Sequence, residues 1–520
     1  MKPPCDEIAL RAPAVDSPCG AQAAPWVLAA TILGSSMAFI DGTIVNVALP
    51  ALQATFQASI FDLQWVVESY ALFLSALILV GGSTGDLFGR RRIFVAGVAL
   101  FAIASAACGL AQSVNQLILA RVIQGIGAAF LVPGSLAIIS ASFSEKDRGR
   151  AIGTWSGFSA ITMAIGPVLG GWLIEHASWR WAFFINLPLA VAVILISLWR
   201  VPESRSSAAK RLDTIGALIV TVGLGGLVYG LIESARLGWH NPRVTGSLLV
   251  GATSVAVFPF IETRTDSPMV PLKLFHSRTF TGANLLTLWM YSALGIFFFI
   301  FPMNLIQVQR YSATAAGAAS LPLILLVFFL SRWSGGLVTR YGPRLPLIVG
   351  PIITAIGFTL FALPSAGGSY WRAFFPPFLV LGFGLAVSVA PLTTVVMGSV
   401  DQSHAGVASG INNAVARVAG LLAVAVFGIV MVNAFSARLD QKVASLGVSQ
   451  HVRDELGANH MRLAAIEIPP DIDSRSRTQA KAAVSDAFVH AFRIVVCSCA
   501  AMAFMSSLTA SVTIRPKPSA

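Results

Sequence analysis

The chain has 520 residues, 56% of them hydrophobic and only 11% charged, with a formal net charge of +12. Soluble domains carry about a quarter charged residues, so a water-soluble fold is excluded. No alternating pattern of a spanning barrel is present either. The basic excess lies mainly between apolar runs and in one long polar stretch, which points to bilayer orientation rather than nucleic-acid binding.

Crossing the hydrocarbon core takes about 20 apolar residues. Segment 1–24 mixes prolines with both charge signs and lacks a positive-then-apolar signal region, so it predicts a retained, disordered tail. Apolar runs follow at 25–50, 63–85, 92–111, 115–140, 148–174 and 181–199. Two more, at 213–232 and 244–261, come after a polar linker. The last group is 280–304, 316–338, 345–364, 373–397, 406–435 and 486–512. Fourteen spans put both termini on one side. Basic residues crowd the loops of that side: Arg90, Arg91 and Arg92; Lys146, Arg148 and Arg150; Arg200, Arg205, Lys210 and Arg211; Arg264, Lys273 and Arg278. The short loops opposite hold isolated arginines such as Arg180, Arg310 and Arg372. Both ends are therefore expected in the cytoplasm.

The predicted organisation is an all-α polytopic membrane protein. A six-helix bundle covers 25–200, a linker with two extra spans 201–278, a second six-helix bundle 279–513 and a short tail 514–520. The polar stretch 436–485 is expected as a loop outside the membrane, with an amphipathic helical lead-in, 478–493, to the last span. The halves echo each other: Gly89-Arg90-Arg91 returns as Gly342-Pro343-Arg344, and Gly149, Gly153 and Gly157 return as Gly406, Gly410 and Ala414. Transporters with midplane sites are commonly built from such repeats.

Charges inside spans are costly and mark function by default. Asp41 lies in the first run, within Phe39-Ile40-Asp41-Gly42-Thr43. A carboxylate desolvated there is suited to gaining and losing a proton. Glu68, in the second run, is placed about one turn inside the boundary, where it either snorkels to water or titrates. Arg121 sits in Ala120-Arg121-Val122-Ile123-Gln124-Gly125 of the fourth run, and Arg417 in the thirteenth. The five cysteines, Cys5, Cys19, Cys108, Cys497 and Cys499, form neither a disulfide framework nor a metal spacing. The seven histidines fall in loops or at span ends, which argues against a membrane-embedded enzyme.

The loop Gly82-Ser83-Thr84-Gly85-Asp86-Leu87-Phe88-Gly89-Arg90-Arg91 resembles the signature loop of the major facilitator superfamily. Gly153, Gly157 and Gly166-Pro167-Val168-Leu169-Gly170-Gly171 are similar to the glycine-proline helix of its antiporter branches. Glycines four apart allow close helix approach, and Pro167 bends its helix. The Asp41 segment, the Arg121 segment and Trp179-Arg180-Trp181 match the fourteen-helix drug:proton antiporter branch. The resemblance implies the major facilitator fold and a gating role for Gly82, Asp86, Gly89, Arg90 and Arg91. It implies proton or substrate coupling at Asp41, Arg121 and Arg417, with Glu68 as a second protonatable group. It also implies proton-driven export of lipophilic compounds from a bacterial cytoplasmic membrane by a monomer, with the proton gradient in place of a cofactor. Export of one metabolite or lipid, a sensor without flux and a polytopic enzyme are the competing readings, and a periplasmic adaptor is left open.

Overall fold

The computed structural model describes residues 23–205, 213–265, 268, 270–400, 405–445, 450–468 and 474–514. The terminal tails therefore lie almost wholly outside the described residues. Among the described residues there is no strand, and fourteen helices are long and apolar enough to cross a membrane. They are α1 (Ala24–Phe56), α2 (Ile60–Phe88), α3 (Arg90–Leu110), α4 (Val114–Ser142), α5 (Glu145–His176), α6 (Asn186–Arg200, entered through the short turn Trp181–Phe184), α7 (Thr214–Leu237) and α8 (Pro242–Glu262). The series continues with α9 (Arg278–Met303), α10 (Leu321–Tyr341, preceded by Ala313–Ala318), α11 (Arg344–Phe361), α12 (Phe375–Gly398), α13 (Ala405–Ser445) and α14 (Ser474–Thr513).

Local chemistry sets several helix starts. Ser113 and Ser144 accept the backbone N–H of Gln116 and Asp147, and Ser277 accepts that of Phe280. Each satisfies one of the donors a helix start leaves open. The polar stretch 436–485 departs from expectation, being largely helical. α13 continues through Ser445, α14 begins at Ser474, and Gln450–Ala458 and His460–Ala465 are helical turns between them. Arg438 and Lys442 of α13 both reach Asp486 of α14, at 2.9 and 3.5 Å, which ties the two extensions together. Residues 446–449 and 469–473 of this stretch lie outside the described residues.

Contacts divide the chain into two compact units. The first comprises Met1–Val45, Trp65–Leu227 and Leu249–Pro271; the second comprises Asn46–Gln64, Val228–Leu248 and Leu272–Ala520. In the first, Phe94, Val98 and Phe101 of α3 pack with Leu131 and Ile138 of α4. Gly127 permits this approach, since a Cβ there would lie 2.6 Å from the Phe101 nitrogen. In the second, Phe297 and Phe301 of α9, Phe358 and Phe361 of α11 and Phe378 of α12 form one aromatic core. All five rings are buried, so this aromatic cluster is packing and not a lining for substrate.

The repeat seen in sequence has a structural counterpart. Gly89 and Gly342 both take positive φ, 113° and 76°, a conformation that costs an L side chain roughly 1–2 kcal/mol. Two residues later, Arg91 Nη1 donates to the Val201 carbonyl just past α6, and Arg344 Nη2 donates to the Ser511 carbonyl near the end of α14. Each unit thus uses one arginine to satisfy the negative end of a helix, α6 in the first and α14 in the second.

Candidate functional site

Two of the charges predicted inside the spans of the first unit, Asp41 and Arg121, converge. Asp41 is fully buried on α1, and Arg121 on α4 is 1% exposed. Arg121 Nη1 donates to Asp41 Oδ2, and Gln124 Nε2 donates to Asp41 Oδ1 at 2.8 Å, so both carboxylate oxygens are engaged. Arg121 also donates from Nη1 to Gln124 Oε1 at 2.8 Å and from Nε to the Val66 carbonyl of α2 at 3.0 Å. Its guanidinium lies 4.2 Å from the centre of the Tyr70 ring. Ser105 of α3 accepts from Gln124 Nε2 at 3.3 Å and from Asn186 Nδ2 of α6 at 3.0 Å, and donates to the Phe183 carbonyl. Five helices therefore meet on one buried polar network.

This corrects the expectation for Asp41. The carboxylate is not alone in an apolar setting but locked to Arg121 and Gln124. Burial of both charges makes the pairing obligatory, because removing one partner strands the other at a cost of about 3–5 kcal/mol. The sequence reading missed Gln124, Ser105 and Asn186 as participants. Gln124 was within reach of it, since a residue three positions after Arg121 shares its helix face.

For Glu68 the structure decides between the two readings that the sequence left open. Glu68 does not snorkel to water: it is 1% exposed, and its Oε2 has no hydrogen-bond partner. The neighbouring α2 residues Val66 and Tyr70 engage Arg121, and Glu68, two positions from each, points to another side of the helix. Of the buried carboxylates of the first unit, Asp41 has both oxygens bonded, whereas Glu68 within α2 has an unmet oxygen, as do Asp213 and Glu262 at the ends of α7 and α8. Arg417 stands half-buried on α13 in the second unit.

The 82–91 loop is built around an acid that the sequence reading did not single out. Asp86 pairs with Arg90 Nε at 2.8 Å within the loop itself. Glu203, in the linker after α6, accepts the backbone N–H groups of Arg91 and Arg92 at 3.1 and 3.2 Å, and the Arg92 Nε lies 3.6 Å away. A carboxylate at the N-terminus of α3 caps donors that no side chain of the loop reaches. Gly89 is doubly constrained, by its φ and by Glu203, which would sit 2.7 Å from any Cβ. Gly82 is not: a Cβ there meets only Pro133 at ordinary distance, and the close approach falls on Gly81, against the Ala129 carbonyl. The signal for Glu203 was an acid directly after the sixth span, on the side where the basic loop sits.

The glycine-proline helix divides in the same way. Gly166 packs on Thr43 and Gly170 on Ile44, where a Cβ would come within 2.8 Å, just past Asp41 on α1. Gly171 is buried, and Pro167 lies inside α5 without ending it. Gly153 and Gly157 have open space beside them, so the expected close approach of another helix is absent there. Trp155 of the same helix donates to Ser35 of α1 at 3.0 Å. Trp181 is half-exposed as an interfacial residue should be, whereas Trp179 is buried against Phe183, with the Arg180 guanidinium over its ring. Arg180 itself donates to the Gly109 and Ala111 carbonyls, closing the end of α3.

Comparison with known proteins identifies the family. Residues 31–424 match the model of the Major Facilitator Superfamily. The chain is 36% identical over 445 residues to the multidrug resistance protein Stp of Mycobacterium tuberculosis, covering 82% of this chain and 80% of that one. It is 31% identical over 509 residues to the tetracenomycin C resistance and export protein of Streptomyces glaucescens, covering 96% and 93%. The fold resembles that of a bacterial homolog to the human lysosomal transporter Spinster, with TM-score 0.67 at 19% identity, over 96% of this chain and 100% of that one. Family and fold are those of transporters and not of enzymes. The chain belongs to the Major Facilitator Superfamily.

Proposed function

We propose that the protein exports small lipophilic compounds across the cytoplasmic membrane of a bacterium in exchange for protons, by alternating access. The observation that carries this reading is the contrast between two buried carboxyls of the first unit. Glu68 has an oxygen without a partner, whereas Asp41 is held by Arg121 and Gln124. Glu68 is then the group that takes up a proton directly. Asp41 exchanges a proton only when Arg121 withdraws, so the pair couples protonation to a change of access state. One charge crossing the membrane releases about 2.3 kcal/mol per 100 mV, enough to drive severalfold accumulation or more.

The relatives named for multidrug resistance support a broad range of substrates. A second reading is export of a single metabolite, favoured by the relative that aligns along nearly the whole chain and is named for one antibiotic. The test is efflux from proteoliposomes under an imposed proton gradient, across cationic, neutral and anionic dyes. Efflux of several chemically unrelated dyes supports the broad reading, and efflux of none but one compound class supports the second. Efflux indifferent to the gradient would remove proton exchange from the account.

A further inference from the structure

One exposed face of α14 carries a groove that is not part of the candidate site of the first unit. His490, Arg493, Ile494, Cys497, Ser498 and Ala501 line a groove of about 460 Å³. The opposite face of the helix, with Phe488, Phe492, Val495 and Val496, is buried in the core of the second unit, so the groove is not part of that core.

Its chemistry changes along its length. At one end Arg493 donates from Nη2 to the carbonyls of Leu363 and Pro364, at 3.4 and 3.3 Å, while its buried Nε–H has no partner. Among the described residues no carboxylate lies within ion-pair distance of this guanidinium, and the exposed His490 sits one turn away. Beyond Arg493 the face becomes small and apolar through Ile494, Cys497 and Ala501 and stays exposed and apolar to Phe504 and Leu508.

Depth in the bilayer follows from the other end of the helix. The Val512 and Ser511 carbonyls accept from Arg278 and Arg344, which marks one polar boundary. From Val512 back to Arg493, at about 1.5 Å per residue, the helix rises about 29 Å. That matches a hydrocarbon core about 30 Å thick, so Arg493 stands at the opposite boundary, at the level of lipid phosphates. The apolar track from Arg493 to Phe504 descends about 16 Å, close to the depth of one leaflet. A guanidinium with no carboxylate partner among the described residues, standing at phosphate level above a leaflet-deep apolar groove, complements one lipid molecule of negative charge.

We propose that this face of α14 binds one anionic phospholipid, its phosphate on Arg493 and one acyl chain along Ile494, Cys497 and Ala501. The site is independent of the proton-exchange reading. Binding of phosphatidylglycerol to the purified full chain in detergent, followed by native mass spectrometry, tests it against phosphatidylcholine and inorganic phosphate. Phosphatidylglycerol should bind at least about fivefold more tightly than phosphatidylcholine, the scale of one basic residue at an anionic surface. Arg493→Gln should weaken phosphatidylglycerol about fivefold or more, Arg493→Lys should retain most of the binding, and Ala501→Trp should weaken it by filling the groove. Equal binding by wild type, Arg493→Gln and Ala501→Trp would overturn the proposal. So would equal loss in Arg493→Lys and Arg493→Gln, which marks Arg493 as structural, or displacement of the lipid by millimolar inorganic phosphate, which marks a bare anion site.

Discussion

Arg121 and Asp41, on helices far apart in sequence, form a salt bridge from which solvent is excluded on both sides. The pair is held from several directions, by Gln124 on the carboxylate and by the Val66 carbonyl and Tyr70 ring on the guanidinium. Asp41→Asn strands the arginine and should lower stability by about 3–5 kcal/mol. The double variant Asp41→Asn with Arg121→Gln removes both charges and should recover most of that loss. Thermal unfolding of the purified variants in detergent checks this. A double variant no more stable than either single one would show that the charges are not the source of the effect.

Glu68 behaves differently, because it is buried with an unmet oxygen and, among the described residues, forms no ion pair. Glu68→Gln keeps size and hydrogen-bonding ability and removes only the titrating proton. It should leave folding within about 1 kcal/mol of wild type while lowering gradient-driven efflux at least tenfold. Downhill movement of substrate with no gradient should persist. Efflux by Glu68→Gln at the wild-type rate would transfer the proton to another group.

Gly89 and Glu203 of the basic loop and its linker predict a matched pair of effects. Gly89→Ala introduces a Cβ at a φ of 113° and against Glu203. The strain is about 1–2 kcal/mol, so the variant should be less stable and slower to change access state. Glu203→Gln weakens the cap on α3, where a carboxylate contributes about 0.3–1 kcal/mol, and should act in the same direction but more mildly. Transport rate and dye affinity, measured separately, decide the matter: a change confined to affinity contradicts a role in switching.

The glycine helix separates packing from open space. Gly166→Val must displace Thr43 and should cost about 1–3 kcal/mol as an overpacked position. A Cβ at position 157 meets nothing within 4 Å, so Gly157→Val should be tolerated within about 1 kcal/mol. Expression level and unfolding temperature of the two variants provide the comparison, and equal damage at both positions would argue against the contact at Thr43.

The fold was legible because a bilayer imposes one length on every apolar run, and each of the fourteen runs became a helix. Asp41 and Arg121 were visible as charges inside such runs, but their union was not, since periodicity places residues on a face without saying which faces meet. Glu203 was hidden for a related reason: its partners, the N–H groups of Arg91 and Arg92, are backbone atoms that no motif records. The lead-in to α14 was legible from 478, whereas the extension of α13 beyond 435 escaped because it is polar and is held by pairings such as Arg438 with Asp486 rather than by an apolar stripe.

The central claim is that substrate leaves as protons enter. Reconstitution of the full chain in liposomes holding a pH-sensitive dye tests it directly, with a lipophilic cation added on the side from which it is bound. Wild type should move protons in the direction opposite to the cation, in proportion to cation flux, and Glu68→Gln should move none. Cation flux in wild type with no accompanying proton movement would contradict the account.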